Sequence, residues 1–432
     1  MNRQEADSAL AKRDESIRAL PLLLDSKRLQ EALQSRPDWP ESSQLEIDYV
    51  RYKPGESLLA RFQCLTGSVA FTGYAKGYAH SAKAKLKKSA LRNEHPSEIG
   101  PGRWTLDDYG AEVVLFPNDN ALAGIGGSAQ HERLARIIDR AFKNENVTYG
   151  ESFSILSYKP ERRLTIRVEL SGGDSAILKF FDRTRFKHSL KCHRRLAELP
   201  GLELPKLRGY TKKHHVLALG WISGEMLDRQ IMHGDISSVS ATAEALANFH
   251  LSSPRPLPRN PAHGMSSNLA ELAEFLGAIQ PQSYSQAANI AESLNRKLTR
   301  KLGETSSVHG DFNAQQVILE KQRVGLIDFD NARIHSPALD VGSFLARLEF
   351  DVLRGAINQA NAGRIGDEFT RAYTAANPAV TEAHIKPFLG LALFRLAPIA
   401  FRQRMDNWPD VTHQILQRSE QALSAAARTH RG

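Results

Sequence analysis

The sequence predicts an α+β protein in which strand-rich segments come first and a helical segment follows. Apolar residues alternate as in strands over residues 45–52, 57–65 and 69–78, and again over residues 153–158, 164–170 and 176–181. After residue 240 the apolar spacing is helical over most of the chain. A chain of 432 residues is long for a single core, so we expect two or three lobes.

The first half repeats one layout of elements. An amphipathic helix over residues 20–33 precedes the first three strands, and the sequence then predicts a helix, a loop, a strand and a second helix at residues 80–93, 94–110, 111–116 and 129–142. Three more strands follow, and after them comes a basic helix over residues 186–199. The pattern therefore predicts two consecutive lobes of similar construction.

Short sequence matches support a duplication. Residues 52–62 read YKPGESLLARF and residues 158–168 read YKPERRLTIRV, and the third strand of each copy carries a lysine, Lys76 or Lys179. The alternative, coincidence between two β-hairpins, stays open because the matched segment is short. Only the second copy is followed by a candidate catalytic loop.

The second half is predicted to be mainly helical. Residues 209–227 have the pattern of two strands and an exit, with an apolar run at 216–222. Predicted helices cover residues 240–250, 268–279, 285–302, 341–354, 365–375, 382–405 and 412–427. We expect a kink at Pro387 or Pro398, and we interpret His250 as a packing or capping residue.

Composition excludes several classes of protein. Cys64 and Cys192 are the only cysteines and have no metal-ligand spacing, which indicates a reducing cytoplasm and no structural zinc. The N-terminal residues are polar and the apolar run at 388–401 is interrupted by Arg395, so we expect neither a signal peptide nor a membrane span. The net charge is +9, but the basic cluster at residues 83–92 has no interleaved aromatics, which disfavours nucleic-acid binding.

The chemistry is concentrated in residues 306–350. Asp311, in His-Gly-Asp, and Asp328, in Ile-Asp-Phe-Asp, lie at opposite ends of a predicted hairpin, and Asp340 precedes a helix. Phosphoryl transfer needs a carboxylate that deprotonates the acceptor and oxygen ligands for Mg²⁺. His-Gly-Asp also occurs at residues 233–235, but without the oxygen donor or the following strand, and we interpret that copy as a turn.

The pattern HGD-x4-Q, IDFD and PALDVGSF resembles the catalytic and metal-binding region of the aminoglycoside phosphotransferase and choline kinase superfamily. Gln316 stands where that family usually has Asn, as in maltokinase-like members. The resemblance implies a bilobal, protein-kinase-like fold with a β-rich lobe at 149–222 and a helical lobe at 223–432. Residues 1–148 would form an additional N-lobe-like domain.

The resemblance also implies a site for ATP and Mg²⁺ in the cleft. Asp311 would be the catalytic base, Gln316 and Asp328 the metal ligands, and Lys179 the residue that binds the α- and β-phosphates. Asp340 would orient the catalytic loop, with His309 packed beneath it. Asp330 would join the metal site or cap a turn. The backbone of Gly220, Trp221 and Ile222 would face the adenine ring.

Two departures from the family pattern are visible in the sequence. The basic helix carries a single acid, Glu198, where the family usually has a glutamate that fixes the strand lysine. The hairpin tip, residues 158–163, has no glycine, so either Arg162 and Arg163 replace main-chain donors to phosphate or they are solvated.

We therefore expect a kinase that transfers the γ-phosphoryl group of ATP to a hydroxyl of a small molecule. The alternatives are a catalytically weak pseudokinase that binds nucleotide and acts through partners, and a protein kinase-like enzyme. Arg395, Arg402 and Arg404, expected on one helix near the acceptor, disfavour a polycationic aminoglycoside. By analogy we expect a sugar or another small neutral or anionic alcohol.

Overall fold

The chain contains two five-stranded antiparallel sheets followed by a helical region. A computed structural model describes residues 2–40, 43–82, 84, 86, 101–119, 121–122, 130–142, 149–170, 173–253, 256–259, 269–299, 303–321 and 323–428. Within these ranges the α+β architecture expected from the sequence is confirmed.

The first sheet follows three N-terminal helices, α1 (Arg3–Arg13), α2 (Leu20–Leu23) and α3 (Ser26–Gln34). Its strands are β1 (Ser43–Lys53), β2 (Ser57–Thr66), β3 (Val69–Tyr78), β4 (Arg103–Leu106) and β5 (Ala111–Leu115), in the order β1-β2-β3-β5-β4. Asp25 caps α3 by accepting two main-chain N–H groups, and Leu29 and Leu33, one turn apart, are buried. Gly55, with φ of 66°, makes the tight turn between β1 and β2.

The second sheet lies between two helices, α4 (Gln130–Ala141) and α5 (Arg183–His193). Its strands are β6 (Tyr149–Lys159), β7 (Arg163–Leu170), β8 (Ser175–Phe181), β10 (Leu207–Thr211) and β11 (Val216–Gly220), in the order β6-β7-β8-β11-β10. Ile137 of α4 packs into the apolar cluster on one face, and Phe186 of α5 packs into the cluster on the other. Because both faces are covered, β8 is buried over most of its length.

The two sheets share their strand order and their register around the two lysines. Lys76 on β3 pairs with Leu59 on β2, and Lys179 on β8 pairs with Thr165 on β7. Leu59 and Thr165 are equivalent positions of the two matched segments. The two lysines therefore occupy equivalent places in their sheets, which supports the proposal of a duplicated lobe.

The helical region contains α6 (Leu227–Met232), α7 (Val239–Ser252), α8 (Leu269–Ile279), α9 (Tyr284–Leu298), α10 (Ala338–Leu353), α11 (Gln359–Ala376), α12 (Glu382–Leu396), α13 (Ile399–Arg402) and α14 (Trp408–Arg428). Four short strands form one small sheet in the order β12 (Glu225–Met226), β14 (Val317–Glu320), β15 (Arg323–Leu326) and β9 (Leu202–Glu203). A two-stranded ladder joins β13 (Ser306–Val308) to β16 (Arg333–His335). These short strands hold the loops that carry the candidate site.

Several predicted boundaries need correction. The helix expected at 186–199 starts earlier, because the side chain of Asp182 caps it, and it ends at His193. The loop expected at 94–110 contains β4, which is too short to show an alternating pattern. Of the helix expected at 80–93, a 3-10 turn at His80–Ala82 and residues 84 and 86 are described. The remainder, with most of the basic cluster at 83–92, lies outside the described residues.

The long helix expected at 382–405 is divided by Pro398 into α12 and α13. Within the described ranges, one stretch, Glu382–Arg402, has the length and apolar composition of a membrane-spanning helix. Most of it is buried, and α12 packs against α10 and α14. This is the environment of a core helix in a globular protein.

The N-terminal helices are fixed to the helical region by a buried ion pair. Arg404 pairs with Asp7 of α1, and its Nη2 donates to the main-chain oxygen of Leu24 at 2.8 Å. Arg3 donates to the main-chain oxygen of Arg404 at 2.6 Å. Arg404 was expected near the acceptor, and this expectation is wrong because its guanidinium is bound inside the N-terminal interface.

Candidate active site

Asp340 fixes the loop that carries Asp311. It lies in the first turn of α10 and is fully buried. Its carboxylate oxygens accept the main-chain N–H groups of His309 at 2.6 Å and of Gly310 at 2.8 Å. Gly310 has φ of 84°, and an added Cβ would lie 2.3 Å from the main-chain oxygen of Asn331. Hydrogen bonds and a close approach that requires glycine together set the conformation of this loop.

The ring of His309 is buried beneath the loop. Its Nε2 donates to the main-chain oxygen of Ile327 at 2.7 Å, and the ring packs on Phe329 with centroids 4.7 Å apart. Because Ile327 precedes Asp328, this one side chain connects the two acidic loops.

Two residues behind Asp340 were not assigned to the site from the sequence. The Nε2 of His250 donates to Asp340 at 3.0 Å, and its Nδ1 accepts from the hydroxyl of Tyr373 at 2.6 Å. Burial opposes ionisation of Asp340, but the hydrogen bond from His250 and the main-chain donors outweigh it and lower the pKa of this carboxyl. His250 is therefore more than a packing residue. No local pattern predicts contacts that join such distant parts of the chain.

Asp328 holds two cations at the end of β15. Lys179 Nζ lies 2.7 Å from Asp328 Oδ1, and Arg163 Nη1 lies 3.0 Å from the same oxygen. Burial opposes ionisation, but Lys179 and then Arg163 outweigh it and hold the pKa of Asp328 well below its usual range. The carboxylate is thus ionised at neutral pH. Its backbone is left-handed, with φ of 68°, which is a strained conformation for a residue other than glycine.

Asp330 provides a second acid for Lys179, so it does more than cap a turn. Its Oδ2 lies 3.1 Å from Lys179 Nζ and 2.6 Å from Arg163 Nη1, and its Oδ1 accepts from Ser189 Oγ at 2.7 Å. Glu198, which the sequence suggested for this role, is exposed and lies five residues beyond the end of α5. The helix supplies a hydroxyl, and the acid comes from the loop.

Asp311 remains open to solvent. Desolvation by the neighbouring protein atoms raises the pKa of Asp311, and repulsion from Asp328 raises it further, while Arg347 and Lys159 act in the opposite direction. Asn331 Nδ2 lies 3.5 Å from Asp311 Oδ2. The charge of Asp328 acts on Asp311, so the two carboxylates lie within electrostatic range of each other.

Gln316 lies across the ladder from the residue that precedes Asp328. Its main-chain oxygen accepts the N–H of Ile327 at 2.9 Å. Its side-chain oxygen and the carboxylate of Asp328 are hard donors of the kind that Mg²⁺ takes. Within the described ranges no three His, Cys, Asp or Glu residues form a metal cage. An ion held by these two donors would have to take its remaining ligands from phosphate oxygens and water.

The hairpin tip does not carry solvated arginines. Arg163 is bound to two carboxylates and its side chain is 17% exposed. Arg162 is partly buried, and burial followed by the positive charge of Arg51 lowers its pKa to about 10. Arg163 is thus bound to the two loop acids Asp328 and Asp330 in this structure, and Arg162 lies among other cations.

The three residues expected at the adenine ring differ in their main-chain contacts. The N–H of Gly220 donates to the main-chain oxygen of Lys206 at 2.8 Å and is not free for a base. Among the described residues, no hydrogen bond engages the main chain of Trp221 or Ile222. The Arg167 guanidinium lies over the Trp221 ring, 4.4 Å from its centroid. Trp221 and Ile222 remain the candidates for adenine recognition.

The second His-Gly-Asp is a turn, as its sequence context indicated. His233 ends α6, Gly234 has φ of 83°, and the exposed Asp235 accepts the main-chain N–H of Ser237 at 2.9 Å. Asp235 is therefore a natural control for Asp311.

One family model matches the part of the chain that carries the candidate site. Residues 161–378, just over half of the chain, match the family model described as the phosphotransferase enzyme family. No curated protein matches the chain.

Three solved structures are similar in fold. A choline/ethanolamine kinase family protein from Mesorhizobium loti is 15% identical, with 64% of this chain and 92% of that chain covered and a TM-score of 0.45. The GDP complex of wild-type aminoglycoside 2′-phosphotransferase-IIIa is 17% identical, with 67% and 98% covered and a TM-score of 0.46. The choline kinase LicA from Streptococcus pneumoniae is 15% identical, with 68% and 99% covered and a TM-score of 0.44.

The matched span contains Lys179, Asp311 and Asp328, and it extends from the hairpin tip to the end of α11. The resemblance found in the sequence is thereby confirmed, and the chain belongs to the phosphotransferase enzyme family.

Proposed function

We propose that the protein transfers the γ-phosphoryl group of ATP to a hydroxyl group of a small molecule, with Asp311 as the base. The observation that carries the proposal is the Lys179–Asp328 contact of 2.7 Å, formed by an acid whose charge also acts on Asp311. Residues 149–222 and 223–432 would be the two lobes of this enzyme, and residues 1–148 an additional domain. The buried free thiols of Cys64 and Cys192 support a reducing, cytoplasmic setting.

The environment of Asp311 suits proton abstraction. Its raised pKa makes the carboxylate a stronger base than an ordinary aspartate, while the group stays accessible to an incoming hydroxyl. Asp340, through the main-chain N–H groups of His309 and Gly310, keeps the loop from turning away. Positioning of this kind accounts for most of what a protein contributes to phosphoryl transfer.

The nucleotide would lie between the strand lysine and the acidic loop. Lys179 would bind the α- and β-phosphates, and the free main-chain groups of Trp221 and Ile222 would bind the adenine edge. Asp328 and Gln316 would hold Mg²⁺, which neutralises charge on the phosphates when bound. Arg163 would then exchange its contact with the acids for one with phosphate, as a guanidinium does readily.

Magnesium-dependent release of ADP in the absence of an acceptor tests the proposal. We expect slow ATP hydrolysis by the native protein and its loss in Asp311→Ala and Asp328→Ala. Asp235→Ala removes the same side chain from the second His-Gly-Asp and should leave the rate unchanged. Hydrolysis that survives Asp311→Ala, or that falls equally in Asp235→Ala, would contradict the assignment of the base.

The charges around Asp311 favour an anionic alcohol as the acceptor. Arg347 and Lys159 act on Asp311 from α10 and the hairpin tip, and Arg395 acts on it from the end of α12. Burial, and then repulsion from Arg333, lowers the pKa of Arg395 to about 10. An acceptor with a phosphate or carboxylate group would relieve this repulsion, whereas a cationic one would add to it.

A charge-sorted panel of alcohols tests the acceptor class. With glycerol, choline, gluconate and glycerol 3-phosphate as probes, we expect ATP consumption above the hydrolysis rate with the anionic members. Arg395→Gln should raise the KM for such an acceptor about tenfold and leave the KM for ATP within about twofold. A preference for choline would overturn the anionic class.

A catalytically weak, nucleotide-binding protein is the second candidate. The contact between Arg163 and both loop acids favours it, because the guanidinium stands where metal and phosphate would be bound. Because Asp330 pairs with Lys179, the missing helix glutamate no longer favours this second candidate. Nucleotide binding without Mg-dependent hydrolysis, in the native chain and in Arg163→Met, would select this alternative.

A further inference from the structure

One face of the first sheet presents three cations toward the second lobe. Arg51 on β1 and Lys76 on β3 are both paired with Leu59 on the strand between them. The side chains of Arg51, Leu59 and Lys76 therefore lie on one face of the sheet. In the neighbouring row Arg61 is paired with Tyr49 and Tyr74 on the same face. The three cationic side chains are largely withdrawn from solvent. Arg61 pairs with Asp48 of β1, whereas Arg51 and Lys76 pair with an acid outside this sheet.

The hairpin tip, residues 158–163, supplies acceptors for these cations. Arg61 Nη1 donates to the main-chain oxygen of Tyr158 at 2.7 Å, and Arg51 Nη1 donates to that of Pro160 at 3.1 Å. The carboxylate of Glu161 pairs with Arg51 and also with Lys76, whose Nζ lies 2.7 Å away. Side chains of the first sheet thus bind both main-chain oxygens of the tip and the side chain of Glu161.

Asp119, which follows β5, also binds the hairpin tip. Its Oδ2 accepts the main-chain N–H of Glu161 at 2.7 Å and the hydroxyl of Tyr158 at 3.0 Å. Glu161 has φ of 61°, a left-handed conformation that a residue with a Cβ adopts only when its surroundings impose it. The contacts to Glu161 therefore set the backbone of the tip as well as its position.

The opposite side of the same turn faces the cleft. Arg163 binds Asp328 and Asp330, and Lys159 is close enough to Asp328 and Asp311 for their charges to act on it. Without glycine the main-chain N–H groups of the hairpin cannot approach phosphates closely, so its side chains would have to contact the phosphates and must be held in place.

The first sheet is itself fixed to the helical region. The ring of Tyr52 lies 6.3 Å from that of Phe275 and 6.4 Å from that of Phe401, and the buried pair of Arg404 and Asp7 ties α1 to the same region. The N-terminal domain therefore connects the tip of one lobe to the body of the other, across the cleft.

We propose that Glu161 is a positioning residue through which the N-terminal domain holds the hairpin tip over the nucleotide phosphates. Lys76 occupies in the first sheet the place that Lys179 occupies in the second, and it binds this carboxylate in place of a nucleotide. The inference rests on the proposed function for its ligand, ATP, but the contacts between the N-terminal domain and the hairpin tip are a property of the protein alone.

Lys76→Met and Glu161→Gln test the proposal, with Lys76→Arg as the conservative variant. Lys53→Met is the matched control, since Lys53 forms an exposed pair with Glu56 in the same sheet. Hydrogen exchange of the Glu161 amide, which Asp119 accepts, reports directly on the tip. We expect Lys76→Met and Glu161→Gln to speed this exchange about tenfold and to raise the KM for ATP about tenfold, with kcat changed less than about twofold.

The outcomes separate the two proposals. Lys76→Arg should restore both values, and Lys53→Met should change neither. Faster exchange of the Glu161 amide without any change in the KM for ATP would reduce Glu161 to a purely structural role and overturn the inference. Unchanged exchange would also overturn it, whatever the kinetics. Failure of the native chain to bind ATP would reject the proposed function, while the exchange measurement would still decide whether the domain grips the tip.

Discussion

Replacing Asp330 by asparagine tests how Lys179 is held. The side chain of Asp330 accepts from Lys179 at 3.1 Å, from Arg163 at 2.6 Å and from Ser189 at 2.7 Å, and it is 10% exposed. Asparagine keeps the shape and one acceptor oxygen but loses the charge. Both cations would then depend on Asp328 alone.

The size of the effect follows from these contacts. A hydrogen bond to a charged group contributes about 1.5–3 kcal/mol, and two such bonds are weakened in the variant. Because Lys179 and Arg163 keep Asp328 as a partner and Ser189 keeps an acceptor, we expect a loss of about 2 kcal/mol in the free energy of unfolding. A less constrained lysine should raise the KM for ATP about tenfold.

Urea denaturation and steady-state ADP release measure the two quantities. Asp174→Asn is the control. Asp174 belongs to the same lobe and pairs with Arg208, but its own side chain is largely exposed. It should change the free energy of unfolding by less than about 1 kcal/mol and leave the KM for ATP unchanged. If Asp330→Asn behaves like this control, Lys179 is oriented by Asp328 alone and the role given to Asp330 is wrong.

Three further predictions follow from the catalytic loop. In a profile of kcat against pH, the rate of phosphoryl transfer should fall as the pH is lowered through the raised pKa of Asp311, which is a higher pH than for an ordinary aspartate. A fall centred on the pKa of an ordinary aspartate would count against Asp311 as the base. His250→Ala should cost about 3 kcal/mol in urea denaturation, because the buried carboxylate of Asp340 loses a donor, and a loss below about 1 kcal/mol would show that this contact is dispensable. Gly310→Ala should reduce the rate of ADP release at least about tenfold, because its Cβ would meet the main-chain oxygen of Asn331 at 2.3 Å in a left-handed turn; native-like turnover would contradict the close approach.

Local patterns predicted the elements whose side chains alternate or recur over several turns. The strand expected at 69–78 is observed as Val69–Tyr78, and the divided helix near Pro398 follows from the missing N–H of proline. The short strands β4 and β16 carry too few positions to show a period, and they were missed, whereas β14 and β15 correspond to the hairpin predicted between Asp311 and Asp328.

The acidic residues of the candidate site could be named from the sequence, but the partners that bind them could not. The motif around Asp311 and Asp328 is short and local, so the sequence alone indicates phosphoryl transfer. The acid beside Lys179 was expected on the following helix because the resembled family has a glutamate there, whereas the contact of Asp330 with Ser189 joins residues 141 positions apart. Arg163 was interpreted as solvated or as a phosphate contact because the hairpin tip lacks glycine. Ion pairs between distant segments depend on how the lobes pack, which no local spacing encodes.

The source of the acid that pairs with Lys179 limits how such an enzyme could be regulated. Where that acid belongs to a mobile helix, swinging the helix outward breaks the pair and turns catalysis off. Here Asp328 and Asp330 come from one short loop, and α5 contributes a hydroxyl through Ser189. Moving α5 would remove the Ser189 donor from Asp330 but would leave both ion pairs of Lys179 in place. We therefore expect that displacement of this helix would not switch the enzyme off through Lys179, and that the rate would follow the concentrations of nucleotide and acceptor.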